Sequence, residues 1–429
     1  MTRLKFIVIG IFSLALFAGT PLWAAEKTKN YPPIAVRLGI DQLEAENFKR
    51  LKGLRVGLLT NPAGVNHRGE STIKILHTRG RRAGVKLVKL FGPEHGIYGD
   101  VPAEKIVQNH IDPKTRLPVF SLYGATRKPT PEMLRGLDCM VIDLQDIGSR
   151  SYTFISCMRY VIEACLEANV GVTILDRPNP LGGLKVGGPG LDQKWQSYVG
   201  LYPTPYVHGL TIGELAKAAL GEGWFTLSET AKKRAWKVDV VKMRGWNRSM
   251  RWRQTGLKWM PTSPYINSVE ACEGYAMTGL GTQLGGFGHT GKNANGKIAS
   301  PFRFLTFPQK KAKEMSVLVN SFFIRGLAAS PMTINDKEGA FLAISNWEKF
   351  SICDLSFHLM RKSCEWNAKN PFAAATKGQR ELWIKHVGSE ALFNDLAKNG
   401  SRVNINAYLE RWAKQAADFQ ARTKKYWLY

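Results

Sequence analysis

The sequence lacks the marks of several common enzyme classes. No Gly-x-Gly-x-x-Gly run follows the first predicted strand, which argues against a dinucleotide-binding fold. The six cysteines include no close pair of the kind that binds zinc, and several lie in apolar runs, where cysteine packs as a small hydrophobic residue. No Gly-x-Ser-x-Gly motif supports an esterase. We therefore predict no metal site and no serine triad.

Acidic residues are also scarce. The chain has 34 Asp and Glu against 60 Lys and Arg, a formal charge of +26. Such a field favours anionic partners, among which cell-wall polymers, anionic lipid headgroups and nucleic acid are candidates. The basic residues are scattered and no nucleic-acid motif is present, so we expect no nucleic-acid partner and a generally basic surface.

Long apolar runs are absent except near the N-terminus. A basic start precedes an apolar run over residues 6–17, and the small pair Ala24 and Ala25 follows. This layout predicts a signal peptide over residues 1–25, a periplasmic location and no stable membrane span after cleavage. An uncleaved anchor is the alternative. Export permits disulfides, and Cys353 with Cys364 is the pair to test, although helical spacing would separate them.

Short apolar strands alternate with helical segments in the first half of the chain. Strands are predicted at 54–60, 85–91, 117–122, 139–144 and 170–175. This alternation predicts an α/β fold with a mostly parallel sheet covered on both faces. A Gly- and Pro-rich crossing over residues 182–205 precedes a more mixed pattern. We therefore predict one domain over residues 34–205 and a smaller α+β domain over residues 206–429 that closes over it.

Residues 90–100, Leu-Phe-Gly-Pro-Glu-His-Gly-Ile-Tyr-Gly-Asp, stand out within this pattern. The Gly-Pro break after a strand places Glu94 and His95 on a tight loop at the strand's carboxyl end. A carboxylate beside an imidazole, flanked by Tyr98 and Asp100, can transfer protons. The alternative is a structural turn whose glutamate caps a neighbouring helix.

Polar residues follow the other predicted strands as well. They are Asn61, residues 143–146, and the pair Asp176 and Arg177. Because ligands of open α/β sheets bind beyond the carboxyl ends of the strands, these side chains predict a site at one edge of the sheet. Asn61 could instead form only a turn, and Asp176 with Arg177 could be an internal salt bridge.

Several motifs, in one order, resemble the exported exo-β-N-acetylmuramidases of the NamZ type. The resemblance extends from about residue 36 to the end of the chain, and its densest motifs lie at residues 58–65, 91–100, 117–124, 143–153 and 175–183. It implies a Rossmann-like catalytic domain, a smaller C-terminal domain and a cleft between them. It also implies release of N-acetylmuramic acid from the non-reducing end of peptidoglycan fragments, without a cofactor. The partner is then a peptidoglycan-derived sugar, and the sequence indicates no oligomeric state.

Glycoside hydrolysis usually requires an acid and a second carboxylate. We predict Glu94 as the acid and Asp143 or Asp146 as the second carboxylate. Either aspartate could instead fix Arg150, and Asp146 could simply turn the chain into the following helix. The lactyl carboxylate of N-acetylmuramic acid suits a planar guanidinium, for which Arg150 and Arg177 are the candidates.

The remaining predicted substrate contacts are polar or aromatic. Hydroxyl and acetamido contacts are assigned to Asn61, His95, Asn179 and His208, and Tyr152 could lie against a sugar face. Asp176 belongs to the same predicted set. His208 could also be an ordinary loop histidine.

The second half departs from the family at residues 280–290. Many members carry Glu-Gly-Thr-Asn and then Ser-Glu-Gly-Arg-Gly-Thr there, whereas this chain has Leu-Gly-Thr-Gln-Leu-Gly-Gly-Phe-Gly-His-Thr. Both glutamates and the arginine are missing, and Tyr265 replaces a family asparagine. The difference favours an alternative function, a non-catalytic periplasmic binding protein for cell-wall amino-sugar fragments on the same fold. A third class is a structural protein held on peptidoglycan by charge, which high salt would release.

Overall fold

A seven-stranded sheet organises the first half of the chain. The computed structural model describes residues 36–99, 108–280 and 284–429, so the predicted signal peptide and Asp100 lie outside the described residues. All neighbouring strands are parallel except the short β3 and β4. The strands are β1 (Arg55–Thr60), β2 (Lys86–Gly92), β3 (His110–Ile111), β4 (Pro118–Ser121), β5 (Cys139–Asp143), β6 (Gly171–Leu175) and β7 (Val238–Val241).

The strand order identifies the topology. The order is β3-β4-β2-β1-β5-β6-β7, and counted among the parallel strands alone it becomes 3-2-1-4-5-6, the order of the Rossmann fold. The prediction of a Rossmann-like, mostly parallel sheet is therefore confirmed. The order reverses between β1 and β5, where folds of this kind bind their ligands.

Helices cover both faces of the sheet because successive strand residues point to opposite sides. Leu59 belongs to the core that contains α4 (Thr153–Glu167) and α5 (Ile212–Gly221), whereas Leu58 belongs to the core that contains α1 (Gly39–Ala45) and α2 (Thr72–Ile75). A capping box begins α5, since the Thr211 hydroxyl accepts from the Glu214 backbone N–H and the Glu214 side chain accepts from the Thr211 backbone N–H. The helices are α1 (Gly39–Ala45), α2 (Thr72–Ile75), α3 (Pro131–Leu134), α4 (Thr153–Glu167), α5 (Ile212–Gly221) and α6 (Glu229–Lys232).

The second half is the smaller α+β part that the sequence predicts. Its three-stranded antiparallel sheet has the order β10 (Phe304–Leu305), β12 (Lys337–Ile344), β11 (Leu327–Ile334). The strands are β8 (Gly291–Lys292), β9 (Ile298–Ala299), β10 (Phe304–Leu305), β11 (Leu327–Ile334) and β12 (Lys337–Ile344). The helices are α7 (Val269–Thr278), α8 (Ala312–Ser321), α9 (Asp354–Trp366), α10 (Lys377–Val387), α11 (Glu390–Asn399) and α12 (Ile405–Thr423).

The first sheet extends past residue 205, where the sequence analysis ends the first domain. β7 pairs in parallel with β6 as the edge strand of this sheet. The C-terminal Tyr429 also returns to it, since its hydroxyl donates to Asp176 at 2.7 Å. The sequence analysis ends the first domain at the Gly- and Pro-rich residues 182–205, but the chain returns to the first sheet after that segment.

The described residues contain no disulfide. All six cysteines are free thiols. Cys353 and Cys364 lie at opposite ends of α9, about 16 Å apart at about 1.5 Å per residue, which is too far for a disulfide. Among the described helices, none is both long enough and apolar enough to cross a membrane.

Candidate functional site

Unpartnered polar atoms gather where the strand order reverses. Asn61 follows β1, while Gln145 and Asp146 follow β5, and none of the three is more than 4% exposed. Both amide atoms of Asn61, Oε1 of Gln145 and Oδ1 of Asp146 have no hydrogen-bond partner. Buried polar atoms are normally paired. These four atoms therefore mark a place that suits a polar ligand.

Glu94 lies on the loop after β2 and is half-buried. Thr153 Oγ1, in the first turn of α4, donates to Glu94 Oε2 at 2.7 Å. Oε1 makes no hydrogen bond within the described residues. The next residue, His95, is buried and has a left-handed backbone, with φ of 71°, which turns the chain. The structure thus fixes one oxygen of Glu94 and leaves the other available.

Asp146 is held by two groups. Its Oδ2 accepts a hydrogen bond from the Gly148 backbone N–H at 2.8 Å and lies 3.1 Å from His208 Nε2. The Leu210 backbone N–H donates to His208 Nδ1 at 3.2 Å, so the ring proton of a neutral His208 is on Nε2. His208 therefore orients Asp146, and Oδ1 stays unpartnered.

Tyr275 brings the second half of the chain to the same place. Its hydroxyl lies 2.9 Å from Ser151 Oγ, and its ring meets the Tyr152 ring edge-on at 6.4 Å between centroids. Burial is the main cause that raises the pKa of Tyr275, and the charges of Glu94 and Asp146 add to it. The phenol thus lies within electrostatic reach of both carboxylates. Our sequence analysis missed this residue, because no local pattern marks a helix that arrives from a distant part of the chain.

Asp143 and Arg177 neutralise each other in the core. Arg177 Nε and Nη2 donate to the two carboxylate oxygens of Asp143 at 2.5 and 3.0 Å, and Thr72 Oγ1 donates to Oδ2 at 2.5 Å. The side chains are 0% and 2% exposed. The geometry gives this pair a structural role, in place of the catalysis predicted for Asp143 and the lactyl contact predicted for Arg177.

Asp176 is a structural anchor in this arrangement. It is fully buried, and its four hydrogen-bond donors are the backbone N–H groups of Arg177 and Gly213 and the hydroxyls of Thr211 and Tyr429. Burial, with the neighbouring carboxylate of Glu214, raises the pKa of Asp176 to about 7. The carboxylate therefore joins β6, α5 and the C-terminus, and is not available to a sugar.

Arg150 is also removed from the predicted substrate set by its surroundings. It is fully buried, and its two Nη atoms donate to backbone carbonyls of Pro189, Thr204 and Val387 at 2.6 to 2.8 Å. Burial lowers its pKa to about 10. Arg150 therefore fastens the 189–204 segment to the end of α10.

Two further predicted contacts form the walls of the site. Asn179 is buried and bonds the backbone of Leu181 and Leu210. Tyr152 is 9% exposed and donates its hydroxyl to Thr262 at 2.7 Å. Three of the eleven predicted residues therefore keep polar atoms for a ligand at this edge of the sheet: Glu94, Asp146 and Asn61.

Family models match both halves of the chain. The model for Exo-beta-N-acetylmuramidase NamZ, N-terminal, matches residues 56–270, and the C-terminal model matches residues 297–429. The Peptidoglycan beta-N-acetylmuramidase NamZ of Bacillus subtilis strain 168 is 42% identical over 295 residues. That match covers 68% of this chain and 66% of the relative, just under two thirds of its length.

Two solved structures share the fold. A DUF1343 family protein from Bacteroides fragilis NCTC 9343 is 35% identical with a TM-score of 0.80, covering 93% of this chain and 100% of that one. A second DUF1343 family protein from the same organism is 26% identical with a TM-score of 0.67, covering 92% and 99%. The chain therefore belongs to the NamZ exo-β-N-acetylmuramidase family.

Proposed function

We propose that the protein is a glycoside hydrolase that releases N-acetylmuramic acid from the non-reducing end of peptidoglycan fragments. The name of the Bacillus subtilis relative supports this activity. The observation that carries it is the placement of Glu94 and Asp146 beyond β2 and β5, with Oδ1 of the buried Asp146 left unpartnered. The basic and apolar N-terminal residues support export to the periplasm.

Glu94 is the proposed acid. With Oε2 held by Thr153, the carboxyl group can present its other oxygen to the glycosidic oxygen and transfer a proton to it as the bond to the anomeric carbon breaks. The leaving group gains this proton and departs as a neutral hydroxyl, while Glu94 becomes a carboxylate, so no cofactor is needed to stabilise a negative charge on the leaving oxygen.

Asp146 is the proposed second carboxylate. Its unpartnered Oδ1 can attack the anomeric carbon or accept a proton from the attacking water, while His208 and Gly148 hold Oδ2. The Asn61 amide offers one donor group and one acceptor to a sugar hydroxyl or acetamido group.

The test is hydrolysis of a chromogenic β-N-acetylmuramide by the purified protein. We expect Glu94→Gln and Asp146→Asn to lower kcat by about 100-fold or more, the usual contribution of proton transfer. Glu46→Gln, at the partly exposed C-cap of α1 where Glu46 pairs only with Arg50 in the described residues, is the control and should keep wild-type turnover. Binding of the muramide without any turnover would reject the hydrolase and favour the non-catalytic binding protein.

A further inference from the structure

The two arginines that the sequence offers for the lactyl carboxylate are both used inside the protein. Arg150 is bound by backbone carbonyls, and Arg177 is paired with Asp143. N-acetylmuramic acid differs from N-acetylglucosamine by the lactyl ether on O3, whose carboxylate is its only charged group, so recognition of that charge needs another cation near Glu94.

Arg127 is an exposed cation held in a fixed orientation. It lies on the loop after β4, and its guanidinium carbon is 4.3 Å from the ring centroid of Tyr198 and 5.4 Å from that of Tyr123. Stacking on aromatic rings fixes the guanidinium plane and leaves the N–H groups at its edge free to donate. Arg127 has no carboxylate partner in the described part of the chain, whereas the adjacent Lys128 pairs with Glu163 at 3.2 Å.

Backbone register places the Arg127 loop beside the Glu94 loop. β2 and β4 are parallel neighbours, and Gly92 lies opposite Ser121 in register. The Leu122 backbone N–H donates to the Gly92 carbonyl at 2.8 Å. The two loops therefore leave the sheet side by side and in the same direction.

Tyr198 lies against Arg127, and the charges of Arg127 and Glu94 both affect its pKa. Burial is the main cause that raises the pKa of Tyr198; the charge of Glu94 adds to the rise, and the charge of Arg127 opposes it. The charges of the proposed acid and of the stacked arginine therefore act on the same phenol, which Arg127 contacts directly. The neighbouring Tyr160 ring stacks on Tyr198 at 6.0 Å, which extends the aromatic surface.

We propose that Arg127 binds the lactyl carboxylate and makes the site specific for N-acetylmuramic acid. The inference rests on the proposed function, because it concerns the sugar bound beside Glu94. Two parallel N–H groups of the guanidinium would donate to the two carboxylate oxygens, a geometry that lysine cannot reproduce.

The test compares two substrates in Arg127→Gln and Arg127→Lys. We expect kcat/KM for the chromogenic β-N-acetylmuramide to fall by about 10- to 100-fold in Arg127→Gln, the range for hydrogen bonds to a charged group. The value for the β-N-acetylglucosaminide should change by less than about threefold, and Arg127→Lys should recover only part of the difference. Arg411→Gln is the matched control, since Arg411 is also exposed and lies over a tyrosine ring, at 4.6 Å from Tyr408.

Calorimetry separates this inference from the proposed hydrolysis. Binding of N-acetylmuramic acid and N-acetylglucosamine is measured with Glu94→Gln alone and with Glu94→Gln combined with Arg127→Gln. Selective loss of N-acetylmuramic acid binding supports the role of Arg127 even if the wild-type protein hydrolyses nothing. Equal weakening of both sugars, unchanged binding of both, or no binding of either sugar to Glu94→Gln overturns it.

Discussion

Replacing Asp143 by asparagine should lower stability far more than replacing Asp146, although Asp143 ends the strand that Asp146 follows three residues later. Asp143→Asn leaves the Arg177 guanidinium buried without a compensating charge, because the two side chains are 0% and 2% exposed. Removing one partner of a buried ion pair costs about 3–5 kcal/mol. Unfolding entropy of about 2 cal/mol/K per residue gives about 0.8 kcal/mol/K for about 400 residues, so the expected fall in Tm is about 4–6 °C.

Asp146→Asn should behave in the opposite way. An amide oxygen still accepts from Gly148 and His208, so we expect a change in Tm of about 1 °C or less and a fall in kcat of about 100-fold or more. Differential scanning calorimetry and muramide hydrolysis on the two variants provide the comparison. An Asp143→Asn protein with wild-type Tm and no turnover would refute the reasoning, as would a fully active Asp146→Asn protein.

Three further changes test other parts of the structure. The pKa of Asp176 in the folded protein is raised from 3.8 to about 7. Its stabilising contribution is therefore full below about pH 4 and is lost as the pH rises through 7. In urea unfolding at a series of pH values, Asp176→Asn should reduce this dependence of the unfolding free energy on pH. Arg150→Met leaves three buried carbonyls without their hydrogen-bond donor, so the free energy of unfolding should fall by on the order of 3 kcal/mol. A lower midpoint of urea unfolding would show this loss. Tyr275→Phe keeps the ring and removes the hydroxyl, so kcat should fall about tenfold at unchanged Tm.

The sheet and the gathering of polar residues at one edge of it were predictable from the sequence because both depend on local patterns. Apolar runs with turns between them locate the buried strands, and parallel strands bring their carboxyl ends to one edge. This reasoning placed Glu94 and Asp146 at the same edge. It could not separate Asp146 from Asp143, since the assignment depends on which carboxylate meets Arg177, and that contact joins residues 34 positions apart.

Long-range contacts account for the other differences. Tyr275 reaches the edge only because α7 packs there, and Arg127 gains its orientation from Tyr198, which lies on a separate segment. The sequence patterns around these residues are those of an ordinary helix and an ordinary loop. Their contribution appears only when the distances between segments are known.

Residues 284–290 are the described part of the segment that departs from the family, and they contribute buried side chains to the core. Phe287 is 3% exposed, and its ring lies 4.9 Å from that of Phe307 and 5.9 Å from that of Trp366. Burying an aromatic side chain here stabilises the C-terminal half. An apolar ring of this kind cannot transfer a proton, so it does not replace a family glutamate in the chemistry.

His289, in the same segment, has no acidic function at neutral pH either. It stacks on Phe302 at 4.5 Å, and burial lowers its pKa to about 4, so the imidazole is neutral. Phe302 also contacts the Tyr275 ring edge-on at 5.0 Å. The segment therefore acts on the site by supporting Tyr275, and any carboxylate chemistry must come from the sheet edge, where Glu94 and Asp146 lie.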